Sequence, residues 1–179
     1  MKKTLILMCG IPASGKSTLA YNLSLHLDKA PIVSMDGIRE EWFGTRKCQD
    51  KGWEVYSQSL DDVIWYFSTY DIVIYDATNR TKKARKQIVE DIQTYIDCDV
   101  YCVFLIVPLD IALERNANRD ESIQVPPAVI HRMFDTLEPP TEKEKYFKKI
   151  FNVMPKTLDN SKDIWYNTFV NQIKGDLKI

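Results

Sequence analysis

Short apolar runs alternate along the chain with longer segments in which apolar residues recur every three or four positions. The runs predict strands at 5–9, 32–34, 72–75, 100–107 and 150–154. The periodic segments predict helices at 16–27, 37–43, 53–69, 82–95, 109–118, 129–137 and 163–173. Apolar strands that alternate with helices are typical of an α/β fold with a parallel sheet, because such a sheet is covered on both faces.

Two polar loops, at 44–52 and 119–127, interrupt this alternation. The second loop predicts a lid over about 115–127, and the alternative is an ordinary solvated connection. The chain contains no internal repeat, low-complexity tract or Gly/Ser linker. A length of 179 residues therefore predicts a single domain, 1–179.

The charges of the chain nearly cancel, with 24 Lys and Arg against 25 Asp and Glu. A long electrostatic track for nucleic acid is therefore not expected, and any such contact must rely on a local patch. The 4 Cys form no CxxC pair and, with 2 His, complete no familiar zinc site, which favours buried thiols in a reducing compartment. Because no apolar stretch reaches ~18 residues, no membrane contact is expected and a cytoplasmic location is predicted.

Residues 10–17 read GIPASGKS and match the phosphate-binding pattern G-x-x-x-x-G-K-[ST] at every position, between a predicted strand and a predicted helix. Glycines let successive backbone N–H groups point at phosphate oxygens, and the helix adds the positive end of its dipole. Lys16 is predicted to reach the β and γ phosphates and Ser17 to coordinate Mg²⁺. The N-K-x-D and D-x-x-G motifs of GTPases do not occur in the sequence, and the length fits a small P-loop kinase.

A carboxylate and an arginine follow the second predicted strand. Asp36 lies just past the carboxyl end of that strand, which in a parallel sheet is beside the phosphate-binding loop. A kinase must deprotonate or orient an alcohol, so Asp36 is the predicted general base. Arg39, one helical turn further on, is predicted to hold an acceptor phosphate in a bidentate fork. The alternative is that Asp36 caps the helix that follows.

The third predicted strand leads into a second polar group. Asp76 is predicted to bind Mg²⁺ through a water, while Thr78 and Asn79 are predicted to face the acceptor. The alternative is that these three residues start the next helix. A basic cluster follows, which is either a solvated helix face or part of the acceptor site, and its members are Arg80, Lys82, Lys83, Arg85 and Lys86.

Two arginines one helical turn apart, Arg115 and Arg119, follow the fourth predicted strand. An arginine carried by a lid stabilises the negative charge that phosphoryl transfer spreads over the equatorial oxygens. Salt bridges with Asp110 or Glu114 are the alternative for both arginines.

The predicted helix at 53–69 carries large apolar residues at spacings of three and four, which predict a buried stripe. The members of this stripe are Trp53, Tyr56, Leu60, Ile64 and Phe67. Base stacking by Trp53 or Tyr56 is the alternative, because both lie beside the loop at 44–52.

Taken together, the stretches GIPASGKST, MDGIR, DATNRT, ERNANR and VPPAVIHRM resemble the polynucleotide kinase-like group of P-loop kinases, and most of all the bacteriophage 5′-hydroxyl kinase domains. The resemblance covers about residues 2–137. It implies a three-layer P-loop kinase fold with strand order 2-3-1-4-5. It also implies that Lys16 and Ser17 contact ATP and Mg²⁺. For the acceptor side it implies Asp36 as general base, Arg39 on the 3′-phosphate and Arg119 as the lid arginine.

The residues and the resemblance predict an ATP-dependent, Mg²⁺-requiring kinase whose acceptor is the 5′-hydroxyl of DNA or RNA. A small-molecule kinase acting on a nucleoside, sugar or antibiotic is open, as is a nucleotide-binding switch without phosphotransfer. The predicted nucleotide-binding residues are Gly10, Ile11, Pro12, Ala13, Ser14, Gly15, Lys16, Ser17, Thr18 and Arg115. The predicted catalytic residues are Lys16, Asp36, Arg39 and Arg119. The predicted acceptor contacts are Asp36, Arg39, Thr78, Asn79 and Arg80, and the predicted metal contacts are Ser17 and, through water, Asp76.

Overall fold

A computed structural model describes residues 2–48, 50–154 and 162–177. The strands are β1 (Lys3–Cys9), β2 (Ile32–Ser34), β3 (Ile72–Asp76), β4 (Cys98–Leu105) and β5 (Phe147–Val153). The helices are α1 (Lys16–His26), α2 (Met35–Phe43), α3 (Gly52–Phe67), α4 (Lys82–Gln93), α5 (Leu109–Ala117), α6 (Pro127–Asp135) and α7 (Lys162–Leu177), with a 3-10 turn at Glu121–Ile123. Every predicted strand and helix is present, with ends that differ by a few residues.

Within the described residues, the strands form one parallel sheet in the order β2-β3-β1-β4-β5. The α/β prediction and the strand order implied by the resemblance are confirmed. Because parallel strands end at the same edge, the loop after β1 meets the ends of β2 and β3 there. The topology therefore brings the candidate groups from three parts of the sequence to one edge of the sheet.

Two element ends differ from the prediction for identifiable reasons. Helix α2 begins at Met35, because the Ser34 hydroxyl accepts a hydrogen bond from the Gly37 backbone N–H at 3.2 Å and caps the helix. Strand β4 begins at Cys98, because its first residue pairs with Lys3 of β1. Capping and strand pairing, rather than apolar pattern, therefore set these two boundaries.

The sheet packs against helices on both faces. On one face Met8 belongs to a cluster that includes Leu23 of α1 and residues of α7. On the other face Leu7 packs with Val63 of α3 and Ile88 of α4. Burying one aliphatic side chain contributes about 1.5–3 kcal/mol. These clusters hold the helix layers against the sheet and produce the three-layer arrangement.

Of the stripe predicted on helix α3, Phe67 is buried, but the other buried positions differ from the predicted ones. The buried side chains are Val55, Ser59, Val63 and Phe67. Trp53 is 74% exposed, so its placement in the stripe was wrong, and Tyr56 and Leu60 are only partly buried. The stripe is shifted because polar Ser59 faces the sheet, where its hydroxyl donates to the Tyr56 carbonyl at 2.7 Å and lies 2.9 Å from the Tyr75 hydroxyl.

Two features bear on the expectations drawn from composition. Cys9, Cys98 and Cys102 are buried, whereas Cys48 is partly exposed. Across the described ranges, no helix combines the length and the hydropathy that crossing a membrane requires.

Candidate active site

The phosphate-binding loop joins β1 to α1 in a conformation that needs its glycines. Gly10 has a φ of +146° and Gly15 a φ of +98°. A Cβ at Gly10 would lie 3.0 Å from both the Leu105 carbonyl oxygen and the Ser14 hydroxyl oxygen. Ala13 also has a positive φ, of 61°, which is unfavourable for a residue with a side chain. Backbone strain of this kind clusters at ligand-binding loops.

The start of this loop is fastened to the turn that follows β3. The Gly10 N–H donates to the Thr78 carbonyl at 2.9 Å, and the Asn79 amide Nδ2 donates to the Met8 carbonyl at 2.7 Å. Asn79 is 7% exposed. Its amide therefore supports β1 instead of facing an acceptor, so the geometry does not support the predicted acceptor contact. Thr78 takes part through its carbonyl group.

Lys16 lies in the first turn of α1, and its side chain folds back over the loop. Its Nζ donates to the Ile11 carbonyl at 2.7 Å and to the Ser14 hydroxyl at 3.4 Å. Burial lowers the pKa of Lys16 from its ordinary value of 10.5, and the charges of Asp76 and Asp36 oppose that shift. A desolvated ammonium group attracts phosphate more strongly than one in water does.

Asp76 ends β3 directly beside the loop and is 6% exposed. Burial raises the pKa of Asp76 above its ordinary value, opposed by a hydrogen bond with Ser17 and by the charge of Lys16. Helix α4 is capped instead by Thr81, whose hydroxyl accepts from the Ala84 N–H. The alternative that Asp76 serves to start this helix is therefore wrong, and the carboxylate is left facing the loop.

The Ser17 hydroxyl and the Asp76 carboxylate form an oxygen pair that suits Mg²⁺. The described residues contain no group of three or more His, Cys, Asp or Glu side chains that could hold a metal. Mg²⁺ does not need such a cage, because it binds one or two protein oxygens together with phosphates and waters. Bound there, Mg²⁺ would neutralise charge on the β and γ phosphates.

Asp36 lies in the first turn of α2, where its Oδ1 accepts a hydrogen bond from Arg39 Nη1 at 2.8 Å. The Asp36 side chain is 63% exposed and that of Arg39 only 10%. The cap of α2 is Ser34, so the alternative that Asp36 caps the helix is wrong. In the described residues, Arg39 Nε is buried without a hydrogen-bond partner. The pair thus presents an accessible carboxylate beside a guanidinium that is not fully satisfied.

The predicted lid, at about 115–127, comprises the last residues of α5, the 3-10 turn and the segment that leads to the first residue of α6. The Asn116 side chain fixes its bend, donating to the Val125 carbonyl at 2.8 Å and accepting from the Val125 N–H at 3.0 Å. Ile11 of the phosphate-binding loop packs against residues of α5 and α6, including Ala112 and Ile130. The helix segments on either side of the predicted lid therefore contact the phosphate-binding loop.

Arg115 lies in the last turn of α5, and Arg119 follows that helix. In the described ranges neither arginine pairs with Asp110 or Glu114, so the salt-bridge alternative is wrong. Burial lowers the pKa of Arg119, and the charge of Arg46 lowers it further while that of Asp36 raises it. Arg119 thus lies close enough to Arg46 and Asp36 for both charges to act on it. Arg115 is half-buried, and its predicted contact with the nucleotide stays a prediction.

Arg80 joins α4 to the end of α6. Its Nη1 donates to the Thr136 carbonyl at 3.2 Å, and its own carbonyl accepts from the Glu138 N–H at 2.8 Å. These contacts give Arg80 a role in holding the segment after the lid, and its predicted contact with an acceptor stays a prediction.

Arg85 does not belong to a solvated basic face. It is 0% exposed, and its Nε and Nη2 donate to the two carboxylate oxygens of Glu144 at 2.9 and 2.7 Å. Its Nη1 donates to the carbonyls of Asn79, at 3.1 Å, and Glu138, at 2.8 Å. Sequence reasoning missed this pair, although Arg85 shares the buried face of α4 with Ile88, Val89 and Ile92. The spacing of Arg85 from these apolar residues was the signal from which its burial could have been predicted.

Residues 5–140 match the family described as AAA domain. This match covers 136 of the 179 residues, from the middle of β1 to just beyond α6. It therefore includes the phosphate-binding loop, Asp36, Asp76 and the predicted lid.

Three known proteins are similar to this chain. The L-seryl-tRNA(Sec) kinase of Methanococcus maripaludis is 26% identical over 94% of this chain, which spans 64% of that protein's length. A fungal RNA kinase superposes with a TM-score of 0.72 at 14% identity, covering 99% of this chain and 85% of its own. A gluconokinase from Sinorhizobium meliloti superposes with a TM-score of 0.61 at 15% identity, covering 98% and 95%. At these identities the two structures establish the fold alone.

Proposed function

The chain belongs to the AAA domain family, and we propose that it is an ATP-dependent kinase that transfers the γ-phosphate of ATP to the 5′-hydroxyl of DNA or RNA. The observation that carries the proposal is the position of Asp36. This accessible carboxylate is held by Arg39 at the head of α2, and its charge acts on both Lys16 and Arg119. A nucleotide-binding switch needs no such base for an acceptor.

The arrangement supports a direct transfer of the phosphoryl group. The acceptor oxygen forms a bond to the γ-phosphorus while the bond between that phosphorus and the β–γ bridging oxygen breaks, and the acceptor proton passes to Asp36. Lys16 stabilises the negative charge on the phosphates, and Arg119 stabilises charge on the transferring group. Mg²⁺ held by Ser17 and Asp76 would complete the charge compensation.

A substrate that contains nucleic acid is supported by two of the similar proteins, an L-seryl-tRNA(Sec) kinase and an RNA kinase. Arg39 suits a phosphate next to the acceptor hydroxyl, because guanidinium groups bind phosphate in a fork. A protein that grips only the end of a strand does not need a basic surface, which agrees with a net charge of −1.

A kinase of a small hydroxylated molecule is the second candidate. Two observations favour it: the near-neutral charge, and the similarity in fold to a gluconokinase. The two candidates share the same donor, base and lid, and they differ only in what lies beyond the acceptor hydroxyl.

The test is to incubate the protein with Mg²⁺, γ-labelled ATP, and 5′-hydroxyl DNA and RNA oligonucleotides, next to a panel of nucleosides and sugars. We expect label on an oligonucleotide. Asp36→Asn should lower kcat by ~10²-fold or more with little change in ATP affinity, because it keeps the shape of the side chain but loses the base. Glu41→Gln, an exposed carboxylate on the same helix, is the matched control.

The outcomes separate the candidates. Label on small molecules alone selects the second candidate and overturns the nucleic-acid proposal. The absence of label on every hydroxyl compound, together with tight ATP binding, contradicts the kinase proposal as a whole. A kcat for Asp36→Asn equal to that of the wild type removes Asp36 from the mechanism.

A further inference from the structure

The loop between α2 and α3 carries an arginine, Arg46, to which the sequence gave no role. Gly44 ends α2 with a φ of +67° and turns the chain back. Arg46 then donates to the Glu40 carboxylate, from Nε at 2.8 Å and from Nη2 at 2.6 Å. Glu40 lies one helical turn after Asp36 on α2. The guanidinium is therefore held against the helix that carries the proposed general base.

The next residue in the loop contacts the lid. Lys47 Nζ donates to the Glu121 carbonyl at 3.0 Å, across 74 positions of sequence. Glu121 starts the 3-10 turn and lies two residues after Arg119. The loop therefore bridges α2 and the lid. Arg46 is adjacent to Lys47, and Arg119 lies two residues before Glu121, so both arginines are close in sequence to this contact. Two side-chain contacts hold the loop: Arg46 binds Glu40 of α2, and Lys47 binds the Glu121 carbonyl of the 3-10 turn.

The charge of Arg46 acts on groups from two other parts of the candidate site. Burial lowers the pKa of Arg119, and the Arg46 guanidinium lowers it further. The Arg46 charge also acts on buried Asp76, beside Lys16. Two guanidinium groups that repel each other raise the free energy of the protein, and an anion between them reverses that effect.

An exposed ion pair does not account for this arrangement. Surface pairs such as Arg46 with Glu40 contribute only about 0–1 kcal/mol, while the charge of Arg46 acts unfavourably on the Arg119 guanidinium. The Arg46 side chain is 41% exposed, so it is accessible from solvent. Glu40 instead orients the guanidinium, as carboxylates that support active-site groups commonly do.

We propose that Arg46 is a catalytic residue that contacts the transferring phosphoryl group from the acceptor side, opposite Arg119. The inference rests on the proposed transfer of the γ-phosphate of ATP, but not on the identity of the acceptor. In the transition state, negative charge spreads over three equatorial oxygens. Arginines on two different elements reach this charge from two sides, one from the lid and the other from the loop after α2.

The test measures binding of a transition-state analogue formed from ADP, Mg²⁺ and aluminium fluoride, in parallel with binding of ADP and Mg²⁺ alone. Arg46→Gln should weaken analogue binding by ~10²-fold or more, which is the typical loss when one donor to a developing charge is removed. Its affinity for ADP should change by less than about 2-fold. Arg46→Lys keeps the charge but not the fork and should fall between the two.

Lys51→Gln is the matched control, because Lys51 lies in the same loop in an exposed ion pair with Glu54. Its affinities for ADP and for the analogue should both equal those of the wild type. Glu40→Gln leaves Arg46 in place but loosens its support, and we expect a smaller loss, of ~3- to 10-fold, for the analogue only. If Arg46→Gln does not fold, the Glu40→Gln variant still tests the role of Arg46.

The outcomes distinguish the role of Arg46 from the proposed kinase activity. If Arg46→Gln binds the analogue like the wild type, or loses ADP and analogue affinity equally, the role of Arg46 is overturned while the proposed kinase activity stands. If the wild type binds the analogue no more tightly than ADP, the proposed phosphoryl transfer is overturned, and the role of Arg46 with it. Selective loss in Arg46→Gln supports the inference even if oligonucleotides accept no label.

Discussion

Replacing Arg85 with methionine tests how much the buried ion pair of Arg85 and Glu144 contributes to the stability of the fold. The guanidinium is fully buried and donates to both carboxylate oxygens of Glu144. It also donates to the carbonyls of Asn79 and Glu138. Methionine has a similar length and no charge, so the Arg85→Met variant leaves the Glu144 carboxylate buried, without its cation, and both carbonyls without this donor.

The magnitude follows from these contacts. Removing one partner of a buried ion pair costs about 3–5 kcal/mol, because the remaining charge is uncompensated in a medium of low dielectric constant. Domains of this size are stable by about 5–15 kcal/mol in total, so the loss is a large fraction of the whole. At about 2–4 °C per kcal/mol, the melting temperature should fall by about 6–20 °C.

Urea unfolding followed by circular dichroism measures this loss. Lys86→Met is the matched control, because Lys86 is the next residue on α4 and forms an exposed pair with Glu90. This variant should stay within about 0.5 kcal/mol of the wild type. The double variant Arg85→Met/Glu144→Leu should be less destabilised than the sum of the two single variants by at least about 2 kcal/mol, since neither charge is then left alone.

Two results would refute this reasoning. The first is an Arg85→Met protein within about 1 kcal/mol of the wild type, which would mean that the buried carboxylate finds another partner or takes up a proton at little cost. The second is strict additivity in the double variant, because uncoupled losses are incompatible with a direct ion pair.

Two further predictions concern the loop and the pH dependence of stability. Gly10→Ala should weaken ATP binding by ~10- to 100-fold in a calorimetric titration, because the new Cβ meets the Leu105 carbonyl at 3.0 Å at a φ unsuited to alanine; Gly52→Ala, where nothing lies within 4 Å, should bind normally. Equal affinity for the two variants would contradict the steric argument. Burial raises the pKa of Glu144, but hydrogen bonds led by that of Arg85 outweigh it and hold the pKa below its ordinary value of 4.5. The contribution of Glu144 is therefore present above about pH 4.5 and lost as the pH falls through the folded-state pKa, so the difference in the free energy of unfolding between wild type and Glu144→Gln should shrink from about pH 6 to about pH 3.5. A difference that does not change with pH would contradict this assignment.

Local sequence patterns were enough to predict the strands, the helices and the phosphate-binding loop. Strands β1, β3 and β4 are each built on a contiguous apolar run, and the phosphate-binding loop is eight consecutive residues whose backbone conformation depends on local glycines. Such features are encoded by neighbours along the chain, so they can be read without knowing the fold. The position of Asp36 just after a strand was local in the same sense, because every parallel strand ends at one edge of the sheet.

The identity of the polar groups that support that edge depends on contacts between residues far apart in the sequence. The local sequence placed Arg85 in a basic cluster that could be a solvated helix face. In the folded chain it is buried against Glu144, which lies 59 positions later in the sequence. Asn79 looked like an acceptor contact, but its amide binds a carbonyl 71 positions earlier. Arg46 acquires its candidate role only where its loop meets the lid. A polar side chain has the same local pattern whether it faces water, a ligand or a buried partner, and only the folded chain shows which of these it meets.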